Sequence, residues 1–404
     1  MPDIEKYSGV EMADIEKISG HDVPAGGGLS AETPLTGAGT MLAFNGGLGF
    51  NQDVDYTFNL RAWSNHSFTK LAASADYLTV WGIKSDGTLW YCATENTNVF
   101  NAITTSYLDG EWHKYGSATD WEDISSGEEC FGAIKDGEYW FIGSGSQRQR
   151  GNGTTSSSYD WVLVNNAKTW VQVAMGEDHT VLRDSNGEVW TCGNNRDYAT
   201  GQGTSSSYTS TLTREQNDLT GATWIAAGNY DSTCVISGQV YFTGQNSGPH
   251  AGFQSTSSSD RNGFTAVNSS ITDVVSTHHH SRYSLFAITT NGSIRFAGYA
   301  NSKGRPDNST ASQTSSTNQL SIISGAGTGW TALFGTASDP SGNRYGGIGF
   351  KSGTAYCGGD VFLKPVKALQ GDGTNTTGNW ASITNSATPS AASVGENIMV
   401  ISWS

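Results

Sequence analysis

WVQVAMGEDHTVLRDSNGEVWTCGNN, residues 170 to 195, sets the reading of the whole chain. It opens on an apolar alternation that ends at Gly176, runs through a second apolar stretch around Val181 and Leu182, turns at Asn186-Gly187 and closes on an aromatic run around Trp190. Asn-Gly is a preferred centre of a type I′ turn, whose twist matches the strands it joins. The stretch therefore predicts antiparallel strands joined by tight turns.

The same order returns along the chain, in WEDISSGEECFGAIKDGEYWFIGS from Trp121 and WIAAGNYDSTCVISGQVYFTGQN from Trp224, and again from Phe68, Ile271 and Trp330. Hairpin pairs recur in register at Asp86-Gly87, Asp136-Gly137 and Asn291-Gly292, with weaker equivalents at Ser237-Gly238 and Ser352-Gly353. A period of about fifty residues is a signature of repeat folds, in which one unit cannot bury its apolar face alone. The chain's 404 residues could hold two average domains, but the repeat overrides that prior. Aromatic residues at 11%, charged residues at 15% and 51 glycines suit short strands and tight turns.

Both ends of the repeat region are incomplete copies. Trp380 opens a last copy, and the run from Glu396 to Trp403 gives its second strand, after which the chain stops. Thr40 to Gly47 reads as a third strand and turn with nothing ahead of it. Joined, the two pieces make one blade, so the expected fold is an all-β, seven-bladed propeller over residues 40–404, closed by its N- and C-terminal segments and preceded by an extended arm over 1–39. Closure leaves only short, protected sheet edges. Ser/Thr/Gly-rich segments from Gly151, Gly201, Gln254, Gly304 and Gly371 fall between the copies and are expected to be ordered display loops. Tyr159, Trp161, Tyr208, Arg261 and Arg305 are the candidate ligand contacts on them.

With the repeat written out, MGEDHTVLRDSNGEVWTCGNNRDYATGQG from Met175 to Gly203 resembles the repeat of the regulator of chromosome condensation family, with His179, Gly187, Trp190, Gly193, Asn195 and Gly201 where that motif expects them. The resemblance runs from about Thr40 to Ser404 and implies a seven-bladed propeller with a shared closing blade. It does not assign a function, because such propellers serve as exchange factors, inhibitors and ligand platforms. The basic tail that the family uses on chromatin has no counterpart here, and the motif histidine reads as Asp76, Glu129 and Asp231 in other copies.

The arm carries its own duplication: DIEKYSG from Asp3 recurs as DIEKISG from Asp14, ahead of Pro24-Ala25-Gly26-Gly27-Gly28. It resembles leader segments of bacteriophage structural proteins. That resemblance implies a virion component, on the tail, a fibre or the particle surface, anchored to other virion proteins through residues 1–24 and displaying loops to a host-surface glycan or protein. Ile4, Tyr7, Val10, Ile15 and Ile18 are the candidate attachment residues. A segment too small for a core of its own gains order by docking. The alternatives are a capsid decoration protein and a soluble regulator or inhibitor that binds another protein.

Other chemistry finds little support in the residues. A formal charge of −15 opposes a phosphate backbone, so no nucleic-acid partner is expected. The N-terminus lacks the basic and apolar regions of a secretory signal, and no apolar run is long enough to span a bilayer, so no membrane insertion is expected. Cys92, Cys192 and Cys357 are read as equivalent positions in separate copies, too far apart to bridge, and all five cysteines as small apolar strand residues. His278-His279-His280 is the metal candidate, but neighbouring strand side chains point to opposite faces, and the run is read at a turn before Ser281; no metal site is expected. Glu128-Glu129, Glu122-Asp123 and Asp53/Asp55 are local acidic pairs, not carboxylates across a cleft. The expectation is a binding protein without cofactor, not an enzyme.

Overall fold

A computed structural model describes residues 37–45, 58–74, 79–93, 110–165, 167–203, 207–246, 260–279, 284–298, 320–335, 346–359, 380–383, 385–394 and 398–404, with short pieces at 6–7, 10–11, 17–18, 21–22, 35 and 306–307. Seven four-stranded antiparallel sheets follow one another, six of them meanders in chain order and the seventh shared by the two ends of the described ring. Blade 3 shows the plan: Trp170–Met175, His179–Asp184, Val189–Asn194 and Tyr208–Arg214, counted from the innermost strand outward. The innermost strands of the other blades are Lys70–Ala73, Trp121–Ser126, Ala222–Ala227, Val274–His279, Trp330–Gly335 and Pro389–Val394. They surround an axial cavity of about 580 Å³, lined by small residues such as Ala72, Ser125 and Gly176 together with polar and charged side chains that include Asp123, Gln172 and His278.

The ring shuts as the partial copies require. Ile398–Trp403 pairs antiparallel with Gly39–Asn45, placing Trp403 opposite Gly39, Ile401 opposite Met41 and Ile398 opposite Phe44. Phe58–Trp63 adds the outer strand and Pro389–Val394 the inner one. The Ser402 hydroxyl accepts from Phe68 N at 2.8 Å and lies 3.2 Å from Thr40 Oγ1, tying the closing blade to blade 1. Asn385 Nδ2 donates to the carbonyls of Leu35 and Gly37, so the chain is already held at residue 35.

Seams between blades are apolar inside and polar at the axis. Trp81 of blade 1 meets Trp161 of blade 2 at 5.4 Å, edge to face, within a cluster that also holds Trp121, Phe131 and Ile142. Innermost strands have one unpaired edge, and unpaired backbone groups are costly. Side chains of the neighbouring blade supply the partners. Asp123 Oδ2 accepts from Val173 N and Ser125 Oγ from Met175 N, each at 3.0 Å. Gln172 binds both backbone groups of Ile225 at 3.1 Å, Trp224 Nε1 donates to Thr277 O, and Ser393 Oγ accepts from Ala73 N.

Three readings need correction here. The Ser/Thr-rich segments from Gly151 and Gly201 lie within blades, joining the third strand to a fourth that the copies lacked, Ser158–Asn165 and Tyr208–Arg214. Asp231 does stand where His179 stands, each opposite the glycine that ends its third strand, but in blade 2 that place is taken by Cys130, not Glu129. Asp76 lies outside the described residues. Cys92 and Cys192 each follow the ring of Trp90 and Trp190 by two residues, whereas Cys357 directly follows Tyr356 and so is one step out of register. All five cysteines are buried and unbridged.

Candidate binding face

In a meander, alternate connections emerge on opposite faces. One face collects the hairpins between second and third strands, the blade-to-blade links and the entry of the arm at Gly39; the other collects the turns between first and second strands and the long connections between third and fourth. We call them the hairpin face and the loop face.

The hairpin face is short and locked. Asp136, Ser237 and Ser352 adopt positive φ at 50°, 51° and 49°, each followed by a glycine with positive φ, the geometry a type I′ turn requires. Asp86, Asn186 and Asn291, expected at the same turn type, do not: only their glycines have positive φ, and Gly87, Gly187 and Gly292 N donate to the carbonyls of Lys84, Asp184 and Thr289 in longer turns, so the sequence placed these hairpins but not their type. Lys84, Lys135 and Lys168 lie 4.0, 4.9 and 5.1 Å over the rings of Trp90, Trp140 and Trp190. Trp140 and Trp190 serve blade packing, edge to face on Trp121 and Trp170.

The loop face is polar and varied, and its best-defined part spans blades 2 to 4. Tyr208 OH donates to Gln147 Oε1 at 3.1 Å, and the Arg148 guanidinium lies 4.8 Å over the Tyr208 ring while its Nη1 donates to Ser210 Oγ at 2.6 Å. Asn194 Nδ2 sits 3.4 Å from Gln147 Oε1 and 3.3 Å from Asp178 Oδ2, and burial pushes the Asp178 carboxyl up from its ordinary range. Arg196, 64% exposed at its side chain, lies 5.3 Å over Tyr230, whose hydroxyl donates to Glu177 Oε1. Asn229 Nδ2 donates to the other Glu177 oxygen at 2.9 Å.

Under this surface runs a buried polar seam. His179 Nε2 is 2.9 Å from Ser232 Oγ, and Ser232 donates to Ala199 O. His279 Nδ1 is 2.9 Å from Asp231 Oδ1, and its Nε2 is 3.2 Å from Thr233 Oγ1. Burial lowers the His179 pKa to about 4, with Asp231 the main opposing influence.

The candidate residues fare differently. Tyr159 is 49% and Tyr208 37% exposed. Trp161, expected on a surface loop, is buried at 6% because its ring fills the seam against Trp81 and Trp121. Arg261 is half-buried at the loop-face end of the fourth strand of blade 4, and Arg305 lies outside the described residues. Of the arm candidates, Tyr7 pairs with Val10 in a two-residue ladder and Ile18 with His21 in a second; Ile4 and Ile15 lie outside the described residues. His278 and His279 lie inside a strand rather than at a turn: His278 contacts Ser276 and the Trp224 ring, His279 contacts Asp231, and His280 is not described. Among the described residues, no group of three or more His, Cys, Asp or Glu is placed to hold a metal ion. Asp53 and Asp55 lie outside them. Gln147, Arg148, Asn194, Arg196 and Tyr230 were missed. The signal for all but Tyr230 lay in SQRQRGNG and GNNRDYATG, where arginines stand among amides and glycines at the end of a third strand.

Residues 170–199 match the model of the regulator of chromosome condensation (RCC1) repeat. Among solved structures, yeast RCC1 (Prp20) bound to Kap60 superposes with a TM-score of 0.66 at 12% identity, over 93% of this chain and 91% of that one. The protein is an RCC1-like seven-bladed β-propeller. Human WBSCR16 is similar as well, with a TM-score of 0.68 and 16% identity over 91% of this chain and 99% of that one. A second structure of Prp20p from Saccharomyces cerevisiae, whose description includes binding to Gsp1p and histones, gives 0.63 and 12% over 92% and 93%. At such identities the likeness is one of fold. No curated protein matches the sequence. In this RCC1-like ring the motif histidine survives at His179, and the buried contact to Ser232 gives it a structural duty between blades 3 and 4.

Proposed function

We propose that the protein is a non-catalytic binding platform of a phage particle, tethered through residues 1–24 and presenting its loop face outward. The carrying observation is where the arm meets the ring. Leu35 and Gly37 are held by Asn385, and Gly39 begins its strand opposite Trp403, so the arm enters on the hairpin face and the loops point away from it. A tether on one face and varied polar side chains on the other suit a protein that is attached behind and binds in front. The tandem leader supports other virion proteins as the partner of the arm, and the hydroxyl, amide, tyrosine and arginine groups of the loops support polar recognition of a host-surface glycan or protein. The leader also supports a location in the virion, on the tail, a fibre or the particle surface.

The test is deletion of residues 1–34. Expected is loss of incorporation into purified particles, followed by antibody labelling, with an unchanged thermal midpoint of the ring. Incorporation without the arm overturns the tether. A second reading, a soluble regulator that binds another protein, is favoured by the structural likeness to yeast Prp20, described in complex with Kap60. It predicts that the full chain is absent from particles and forms a stoichiometric complex with a soluble protein.

A further inference from the structure

The lysines of the ring keep to one face. Lys70, Lys84, Lys114, Lys135, Lys168 and Lys351, the described lysines of the ring, lie toward the hairpin face together with Arg183, Arg214 and Arg295, whereas the described Lys and Arg residues toward the loop face are all arginines, Arg148, Arg150, Arg196 and Arg261. Lysine and arginine differ in what they recognise. Guanidinium is a planar fork that meets a carboxylate through two parallel hydrogen bonds and stacks on aromatic rings, while ammonium is a strongly hydrated point charge.

Two of these arginines belong to one cluster of polar side chains on the loop face. Arg148 and Arg196 stand at either end of the amide pair Gln147 and Asn194, with Tyr208 and Tyr230 beneath their guanidinium planes. The backbone fixes this spacing: Arg148 sits at φ 64° in a turn closed by Gly151 N to Arg148 O, and Arg196 N donates to Asn194 Oδ1. Arg150, on the same turn as Arg148, has its Nε buried without a hydrogen-bond partner among the described residues. The acids nearby are engaged: Glu177 accepts from Asn229 and Tyr230, Asp197 accepts from Gln245 and lies 3.8 Å from Arg196 Nε, leaving the Arg196 Nη groups as the donors toward a ligand, and half-buried Asp178 lies beside Asn194.

We propose that this surface cluster, over the seam of blades 2 and 3 and reaching Tyr230 of blade 4, binds a carboxylate-bearing glycan, with Arg148 and Arg196 on the carboxylates and Gln147, Asn194 and Tyr208 on the sugar hydroxyls and ring faces. Amide and tyrosine side chains are suited to neutral hydroxyls and to a ring face, which an acidic peptide would not require. The inference rests on the reading of the loop face as the outward binding face and names its ligand class.

The experiment measures binding of the full-length protein to oligogalacturonate, to a neutral maltooligosaccharide of equal length and to oligoglutamate, by fluorescence anisotropy at low ionic strength and again at high salt. Expected is a preference for oligogalacturonate over both others by tenfold or more, weakened by salt. Arg148→Ala and Arg196→Ala should each lose about tenfold, and Arg196→Lys should fail to restore what Arg196→Ala loses. Asn194→Ala should weaken the uronate oligomer while leaving the thermal midpoint in place. Equal binding of oligoglutamate, full rescue by lysine, or no binding of the uronate oligomer overturns the proposal. A failure here is distinguishable from failure of the platform reading, because the arm-deletion experiment reads particle incorporation, which no loop-face substitution touches.

Discussion

The hairpin face and the loop face are made by the same seven sheets, yet they are built on different principles. On the hairpin face each connection is as short as a turn allows, glycines sit against backbone, and lysines lie on tryptophans. On the loop face the connections lengthen, the bases become arginines, and the side chains beneath are a chain of hydroxyl, imidazole and carboxylate groups. The contrast teaches that one face spends its residues on registering strands while the other is released to vary. Four measurements can break that contrast or sharpen it.

The largest effect is expected on the hairpin side. Trp170 is buried at 1% against Trp190, and Trp170→Ala should cost about 3–5 kcal/mol in urea unfolding, as large aromatic truncations in cores do. Tyr208→Ala, on the other face of the same blade, is the opposite extreme.

Acid should act from the loop side. The folded state holds His179 neutral with a pKa near 4, against 6.5 for the free group, so the unfolded chain takes up a proton first. The stability contributed is complete above about pH 6.5 and is lost as pH falls toward about 4, by about 3 kcal/mol at 1.36 kcal/mol for each unit. Urea midpoints between pH 7 and 4 check this, and His179→Gln should flatten the slope. A slope unchanged by that substitution would remove the imidazole from the explanation.

Two glycines with the same backbone sign separate the faces more finely. Gly187 on a hairpin has φ +75°, and a Cβ there would come within 2.6 Å of Ala222 N and 2.8 Å of Gly221 Cα. Gly153 on the loop face has φ +83°, but its Cβ would meet nothing nearer than Thr211 Cγ2 at 3.5 Å. Gly153→Ala should cost only the left-handed penalty of about 1 kcal/mol, and Gly187→Ala about 3 kcal/mol once backbone is displaced. Equal losses would mean the hairpins can shift.

The smallest stability effect belongs to Tyr208→Ala. Its ring is 37% exposed and caps no core, so the change should stay within about 0.5 kcal/mol in thermal unfolding while weakening loop-face binding.

Legibility followed the same division. The hairpin pairs and the aromatic third strands were read directly, because turn chemistry and alternation are local and survive in a single sequence. The fourth strands were not: YTSTLTR in blade 3 looks like linker, and it becomes a strand because Val189–Asn194 offers it an edge to pair with. Trp161 failed for the same reason, since nothing local distinguishes a ring displayed on a loop from one driven into the seam by Trp81 of another blade.

The sequence by itself determined the number of blades, the place of the hairpins and the sharing of one blade by the two chain segments, because each is written in short local patterns that recur at a spacing of about fifty residues. Only the tertiary structure decided which face each connection occupies, which side chains satisfy the open edge of the neighbouring blade, and which arginines stand in one cluster. Those facts join residues some fifty positions apart, such as Asp123 with Val173 and Arg148 with Tyr208, and no local signal carries them.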